Sequence, residues 1–280
     1  MTQLQIKTSL PLGIAWTWVK ASFAIFREKP INFMFFGIAF VVFSMLPFLG
    51  TFLATLVIVR MLLSAQAIVD NQAVGLALNF KSIFSQRNLI SYAIFCVGYD
   101  LVSMTIMSQF MSNLGVEGAT PAMLMDHRVI YLMLGMSLFR TLFFGISLAI
   151  ATFNPDITVL NSLRLSWKFL YKNIAVITLG LFLLLPFLLV PLYIMVMVTL
   201  SMENAFLFGI SFLVLVILML LFLAITTLFS FKLYQDGKSV AVVSGKPVVD
   251  SGEKVLFGKV MGRPPVTTFP RLPIQAFLGY

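Results

Sequence analysis

Arg60, Asp100 and Arg140 each fall inside a long apolar run of this chain. A charge at the centre of a bilayer costs at least about 2.5–3.5 kcal/mol on insertion scales, so such side chains face inward and take partners. Two chemistries suit an Arg–Asp–Arg set at similar depth. One is a buried ion pair that fixes helix register; the other is a polar pathway or anionic-ligand site between helices, with Tyr99, Ser103 and Gln109 extending it from Asp100. The remaining reactive groups are isolated. His127 is the only histidine and sits beside Asp126 and Arg128, and one histidine supports neither a metal site nor a nucleophile–base pair. Gly237-Lys238-Ser239 is similar to the end of a phosphate-binding loop, but Lys232 stands where the upstream glycine is required. Glu117, Asp126 and Glu203 are too scattered to form a catalytic pair. The expectation is no enzyme, no cofactor and no metal.

The elements that must position these charges are six apolar stretches, at about 31–49, 51–69, 89–111, 129–152, 173–200 and 205–231. A hydrocarbon core about 30 Å thick takes roughly 20 helical residues to cross. Composition agrees, with 60% hydrophobic and 10% charged residues. The runs are continuous, whereas a closed barrel would show short alternating segments, so helices are left to satisfy the backbone in lipid. The first run starts after a basic stretch and leads directly into the second, so no cleavable signal peptide is expected. Cys96, the single cysteine, has no partner for an internal disulfide. The expected fold is an all-α integral membrane protein with six transmembrane helices arranged as three hairpins, each preceded by a short interfacial amphipathic helix.

Charge then orients the spans. With a cytoplasmic amino terminus, the inner segments hold Lys7, Lys20, Arg27, Lys29, Lys81, Arg87, Arg164, Lys168 and Lys172, followed by Lys232, Lys238, Lys246, Lys254, Lys259, Arg263 and Arg271. The outer loops hold Arg128 alone among basic residues, beside Glu117, Asp126 and Glu203. This asymmetry is the positive-inside pattern and predicts cytoplasmic termini at both ends. It also explains the net charge of +9. Basic residues flanking spans meet anionic head groups, each contributing about 1 kcal/mol, and nothing has the form of a nucleic-acid-recognition element.

Three segments read alike: FAIFREKPINFMFF at 23–36, FKSIFSQRNLISYAIF at 80–95 and WKFLYKNIAVITLGLF at 167–182. Each has an aromatic-rich turn, a polar and basic knot, and the start of a span, as three copies of a short helix plus a helical hairpin would. From Gly13 to Lys29, Thr17, Lys20, Ala24 and Arg27 make one stripe while Trp18, Val19, Phe23 and Phe26 face elsewhere. From Ile157 to Lys172, Leu160, Leu163, Trp167 and Leu170 share a side, with Asn161, Arg164, Lys168 and Lys172 on another. Asn154-Pro155-Asp156 predicts the N-cap and first turn of that helix. The Gly75–Arg87 segment is a weaker version, with Leu76, Phe80, Ile83 and Phe84 apolar. Trp16, Trp18 and Trp167 all fall in these helices, where indole suits the membrane–water boundary. The expected lipid and interface set is therefore Trp16, Trp18, Lys20, Arg27, Lys29, Lys81, Arg87, Arg164, Trp167, Lys168 and Lys172. Its role is either a collar that senses lipid or docks a partner, or plain anchoring of the hairpins. Pro186 and Pro191 predict a kink in the fifth span.

The run NSLRLSWKFLYKNIAVITLGLF at 161–182, with AWTWVKASFAIFREKP at 15–30 and FKLYQDGK at 231–238, resembles the YciC-like bacterial membrane proteins. It is also similar to the membrane domains attached to some glycerophosphodiester phosphodiesterases and to related six-span families. The resemblance covers about residues 10–238. It implies a bacterial inner-membrane setting; the soluble phosphodiesterase domain is absent, so no hydrolase activity carries over.

The expected organisation is a cytoplasmic amino-terminal segment over 1–30, a six-helix membrane domain over 31–231 and a basic cytoplasmic tail over 232–280. In the tail, Ser239–Val243 and Val255–Val260 are β-prone and would make a small hairpin. Arg263, Pro264 and Pro265 lead through Arg271 to an apolar end with Phe277 and Tyr280, an extended docking segment. The expected function is a non-enzymatic inner-membrane scaffold or accessory subunit of an envelope complex, with anionic lipid and a protein partner or a second copy of itself as partners. The alternative is a small transporter or lipid-handling protein that uses the Arg60–Asp100–Arg140 layer.

Overall fold

A computed structural model describes residues 3–6, 10–46, 49–75, 78, 80–113, 132, 135–136, 140, 144–200 and 205–241. Over these the chain is helical apart from one small ribbon. In order it forms β1 (Gln3–Ile6), α1 (Ile14–Glu28), α2 (Pro30–Ser44), α3 (Gly50–Val69), α4 (Lys81–Phe84) and α5 (Arg87–Asn113), then α6 (Ser147–Phe153), α7 (Val159–Lys172), α8 (Ile174–Leu200), α9 (Ala205–Gly237) and β2 (Lys238–Ala241). Three helical segments are long and apolar enough to cross a membrane: α3, α5 and the Phe212–Gly237 part of α9. The pair α7 and α8 passes the same test as one broken span bent by 87°. The architecture is that of a helical membrane protein.

Each amphipathic helix is separated from the apolar helix after it by one or two residues. Lys29 divides α1 from α2, where Pro30 opens the new helix with its fixed φ and absent N–H. Asn173 divides α7 from α8, and Ser85-Gln86 divides α4 from α5. When Lys29 is laid on Asn173, the burial of the first unit falls on that of the third. Trp18, Val19, Ser22 and Ile25 match Ser162, Leu163, Ser166 and Phe169, all buried. Asn32, Phe33 and Phe36 likewise match Val176, Ile177 and Gly180, again all buried. The middle unit is abbreviated: among the described residues of the expected Gly75–Arg87 element, only Lys81–Phe84 forms a helix before α5 begins at Arg87.

The core lies where the second apolar helix of each unit meets the others. α9 packs against α3 and α6, and α2 and α5 flank them. The amphipathic helices close over these junctions. α1 lies on α8 and α9, and α7 lies on α6. At α4, Phe84 reaches the Phe52 ring of α3. Small residues permit the tightest approaches. A Cβ on Gly180 would stand 2.5 Å from the ring of Phe229, and one on Gly237 would stand 2.5 Å from the ring of Phe169.

Several expectations are corrected. α7 starts at Val159 and is capped by Thr158, whose hydroxyl accepts from the Asn161 N–H; Asn154 instead turns back, donating to the Ile150 carbonyl and the Tyr234 hydroxyl. Asn154 follows α6 directly, so its amide serves the helix that ends there. On α7 the apolar residues do not share one face: Leu163 and Leu170 are buried while Leu160 and Trp167 are exposed. Of the expected Ser239–Val243 strand, Ser239–Ala241 lies in β2, which pairs antiparallel with β1, Gln3 opposite Ala241 and Ile6 opposite Lys238. The last helix runs to Gly237, beyond the expected boundary at 231. Eleven residues of the expected fourth span, within 129–143, lie outside the described residues, as do His127, Arg128, Glu117, Asp126, Glu203 and the Val255–Val260 segment.

Candidate functional site

Asp100 sits on α5 with both carboxylate oxygens engaged. Oδ1 is 3.1 Å from Nη1 of Arg140, and Oδ2 accepts from the Thr51 hydroxyl of α3 at 2.5 Å. The pair is unevenly sheltered, with side-chain exposures of 18% for Asp100 and 50% for Arg140. A carboxylate held by a guanidinium and a hydroxyl has its charge met and a partner at each oxygen. The arrangement ties α3, α5 and the chain at Arg140 at one level.

Arg60 does not join them. Thr51 marks the level of Asp100 on α3, and Thr55 meets Cys96 a turn further on, so α3 and α5 are antiparallel. Arg60 lies nine residues beyond Thr51, about 13 Å along the helix axis, and is level with Ser91 and Tyr92. Of the expected three-residue layer, Asp100 and Arg140 form an ion pair, and Arg60 lies further along α3. Equal distance from the ends of two hydrophobic runs did not mean equal depth, because the helices start at different heights. Tyr92 has its own partner at this second level, the Ser147 hydroxyl. The hydroxyl-rich side of α5 around Thr105, Ser108, Gln109 and Ser112 lines a shallow open groove.

The collar residues divide into two groups. Lys20, Arg27, Lys29, Lys81, Arg87, Arg164, Lys168 and Lys172 are all exposed, as are Trp16 and Trp167. Lys20 stands 5.1 Å from the centre of the Trp16 ring, and Lys172 stands 5.8 Å from that of Tyr171. Trp18 is the exception and corrects the expected interface set. It is fully buried, its ring edge meets Phe229, and its indole N–H donates to Asp236 at 2.8 Å. Two positions separate Trp16 from Trp18, so on a helix they point to different sides.

That contact belongs to a polar junction the sequence did not announce. At the end of α9, Lys232 donates to Gln235 at 2.6 Å, and Gln235 reaches Gln66 of α3 at 3.4 Å. Gln66 in turn donates to both carboxylate oxygens of Asp70. Beside it Tyr234 stacks on Phe153 and accepts from Asn154. The available signal was that polar residues appear near the ends of α3 and α9, Gln66 and Asp70 on one and Lys232, Gln235 and Asp236 on the other. Nothing in their spacing said that the two sets meet. The tail residues Arg263, Pro264, Pro265, Arg271, Phe277 and Tyr280 lie outside the described residues. Among those described, no group of histidine, cysteine and acidic residues could hold a metal ion.

Comparison with known proteins adds no relative: no family model, curated protein or solved structure matches this chain.

Proposed function

We propose that this chain is a non-enzymatic, six-span membrane scaffold or accessory subunit, similar in setting to YciC-like bacterial inner-membrane proteins. Both of its termini would be cytoplasmic. Its basic collar would rest on anionic lipid and its tail would dock a protein partner. The observation that carries the reading is the β1–β2 ribbon, which joins the start of the chain to the exit of α9. Chain start and chain exit therefore share one end of the bundle, as an even number of crossings requires. The α8 helix supports the count of six. It has 27 residues, about 40 Å of helix, and is apolar throughout, while Arg164, Lys168 and Lys172 make α7 an element of the boundary rather than of the interior. The Asp100–Arg140 pair supports a structural use of the intramembrane charges, since the aspartate's charge is met by the arginine and a hydroxyl occupies its second oxygen.

The test is a pull-down in nanodiscs of the full chain beside a 1–262 truncation, analysed by native mass spectrometry. A stoichiometric protein partner, lost on truncation, is the expected result. A bare oligomer holding a defined small molecule would reject the scaffold in favour of transport. Reporter fusions at both termini check the topology independently, and opposite sides for the two ends would rule out six spans.

A further inference from the structure

The outward side of α7 is divided lengthwise. Its core face is Ser162, Leu163, Ser166, Phe169 and Leu170. Next to that face runs an exposed apolar row of Leu160, Trp167 and Tyr171, at 73%, 53% and 70% exposure. Beyond it, at helical spacing, lies an exposed basic row of Arg164, Lys168 and Lys172. The sequence holds no acidic residue between Asp156 and Glu203, so nothing along this helix neutralises the three cations. The apolar row leads across the 87° bend into Ile174 and Phe182, both exposed on α8. The α1 helix repeats the layout in weaker form. When Lys29 is laid on Asn173, Trp16 takes the place of Leu160 and Lys20 that of Arg164, and both are exposed.

We propose that this divided face of α7 is a docking surface for the anionic lipid leaflet at the collar end of the bundle. It selects phosphatidylglycerol-type head groups over zwitterionic ones. A helix bent nearly at right angles to an apolar neighbour lies along the surface that the neighbour enters. Leu160, Trp167 and Tyr171 then reach the acyl boundary while Arg164, Lys168 and Lys172 meet the phosphates, the division that an in-plane amphipathic helix requires. Charge complementarity fixes the occupant, because the basic row would gain nothing from a neutral surface. The inference deepens the reading of a basic collar on anionic lipid and rests on it, naming the helix face and the head group it selects.

The experiment reconstitutes the full chain in nanodiscs of phosphatidylcholine containing a minor share of brominated lipid, either phosphatidylglycerol or phosphatidylcholine. It reads the quenching of Trp167 as the difference between wild type and Trp167→Phe. The expected result is a preference for the brominated anionic lipid of at least about fivefold, the worth of one surface cation at about 1 kcal/mol. In R164Q/K168Q/K172Q the preference should vanish while Trp167 stays quenched by either lipid and thermal unfolding is unchanged. Equal quenching by the two lipids in the wild type would overturn the proposal and leave α7 as an anchor without charge selection. A preference surviving the triple substitution would overturn the assignment to the basic row. Because the readout is lipid and not protein, loss of the tail partner in the pull-down leaves this result unaffected.

Discussion

An indole N–H that leaves water on burial needs another acceptor, and Trp18 finds one in Asp236 near the far end of the chain. Substitution with Phe keeps a ring near Phe229 but removes the donor to Asp236 and leaves part of the buried indole's space unfilled. We expect Trp18→Phe to cost about 1–3 kcal/mol, from the lost charged hydrogen bond and the gap. Asp236→Asn should cost less, since the amide oxygen still accepts, and thermal unfolding in mild detergent ranks the two. Equal losses would mean that charge rather than hydrogen bonding holds the junction. The same logic applies within the bundle. Asp100→Asn should lower stability by about 1.5–3 kcal/mol, a charged hydrogen bond's worth, tempered by the half-exposure of Arg140. A double-mutant cycle with Arg140→Gln isolates the pair. No coupling between the two substitutions would show that the contact contributes nothing.

At the scale of elements, packing is set by where side chains are missing. The Phe229 ring fills the space over Gly180 so closely that a methyl group has no room. Gly180→Ala should therefore destabilise α8 against α9 by about 1–3 kcal/mol through overpacking, read as a lowered midpoint in the same unfolding assay. Wild-type stability would show that α8 can slide. These elements were legible in outline. Apolar runs announced α3 and the starts of α2, α5, α8 and α9, and the repeated knot before each span marked the breaks at Lys29 and Asn173. The faces were harder. α7 turns serines inward and a tryptophan outward, because its buried side packs on helices rather than facing lipid and so takes small residues as readily as large apolar ones. Periodicity locates a helix, and its partners decide which side is inside. The Asp100–Arg140 pair was foreseen by the cost of charge in lipid. The height of Arg60 was not legible, since depth along a run ignores the offset between helices.

For the molecule as a whole, the amphipathic helices form a brace on one end of the bundle, each lying over a junction between apolar helices. The α1 helix has the longest reach in sequence, packing on α8 and α9, and it closes the arrangement between first and last units. The ribbon reinforces that closure. Gln5 stands opposite Ser239, and directly paired antiparallel residues have Cα separations that suit a disulfide. With Cys96→Ala removing the native thiol, Gln5→Cys with Ser239→Cys should cross-link on mild oxidation and shift mobility on a non-reducing gel after cleavage of an intervening loop. A one-residue shift of either cysteine should weaken the product. Indifference to register would mean that the strands do not pair as described.

The direction in which β2 leaves the ribbon has a mechanical consequence. Lys238 is the end joined to α9 and Ala241 is the end from which the tail departs, opposite Gln3 at the start of β1. A load applied through the tail and across the ribbon therefore arrives at the open end and peels the strands apart one bond at a time, instead of shearing them together. Peeling proceeds at low force and stops at Lys238. Peeling needs a tug directed across the ribbon; a tug along β2 passes through Lys238 straight into α9, because that strand and that helix are one continuous backbone.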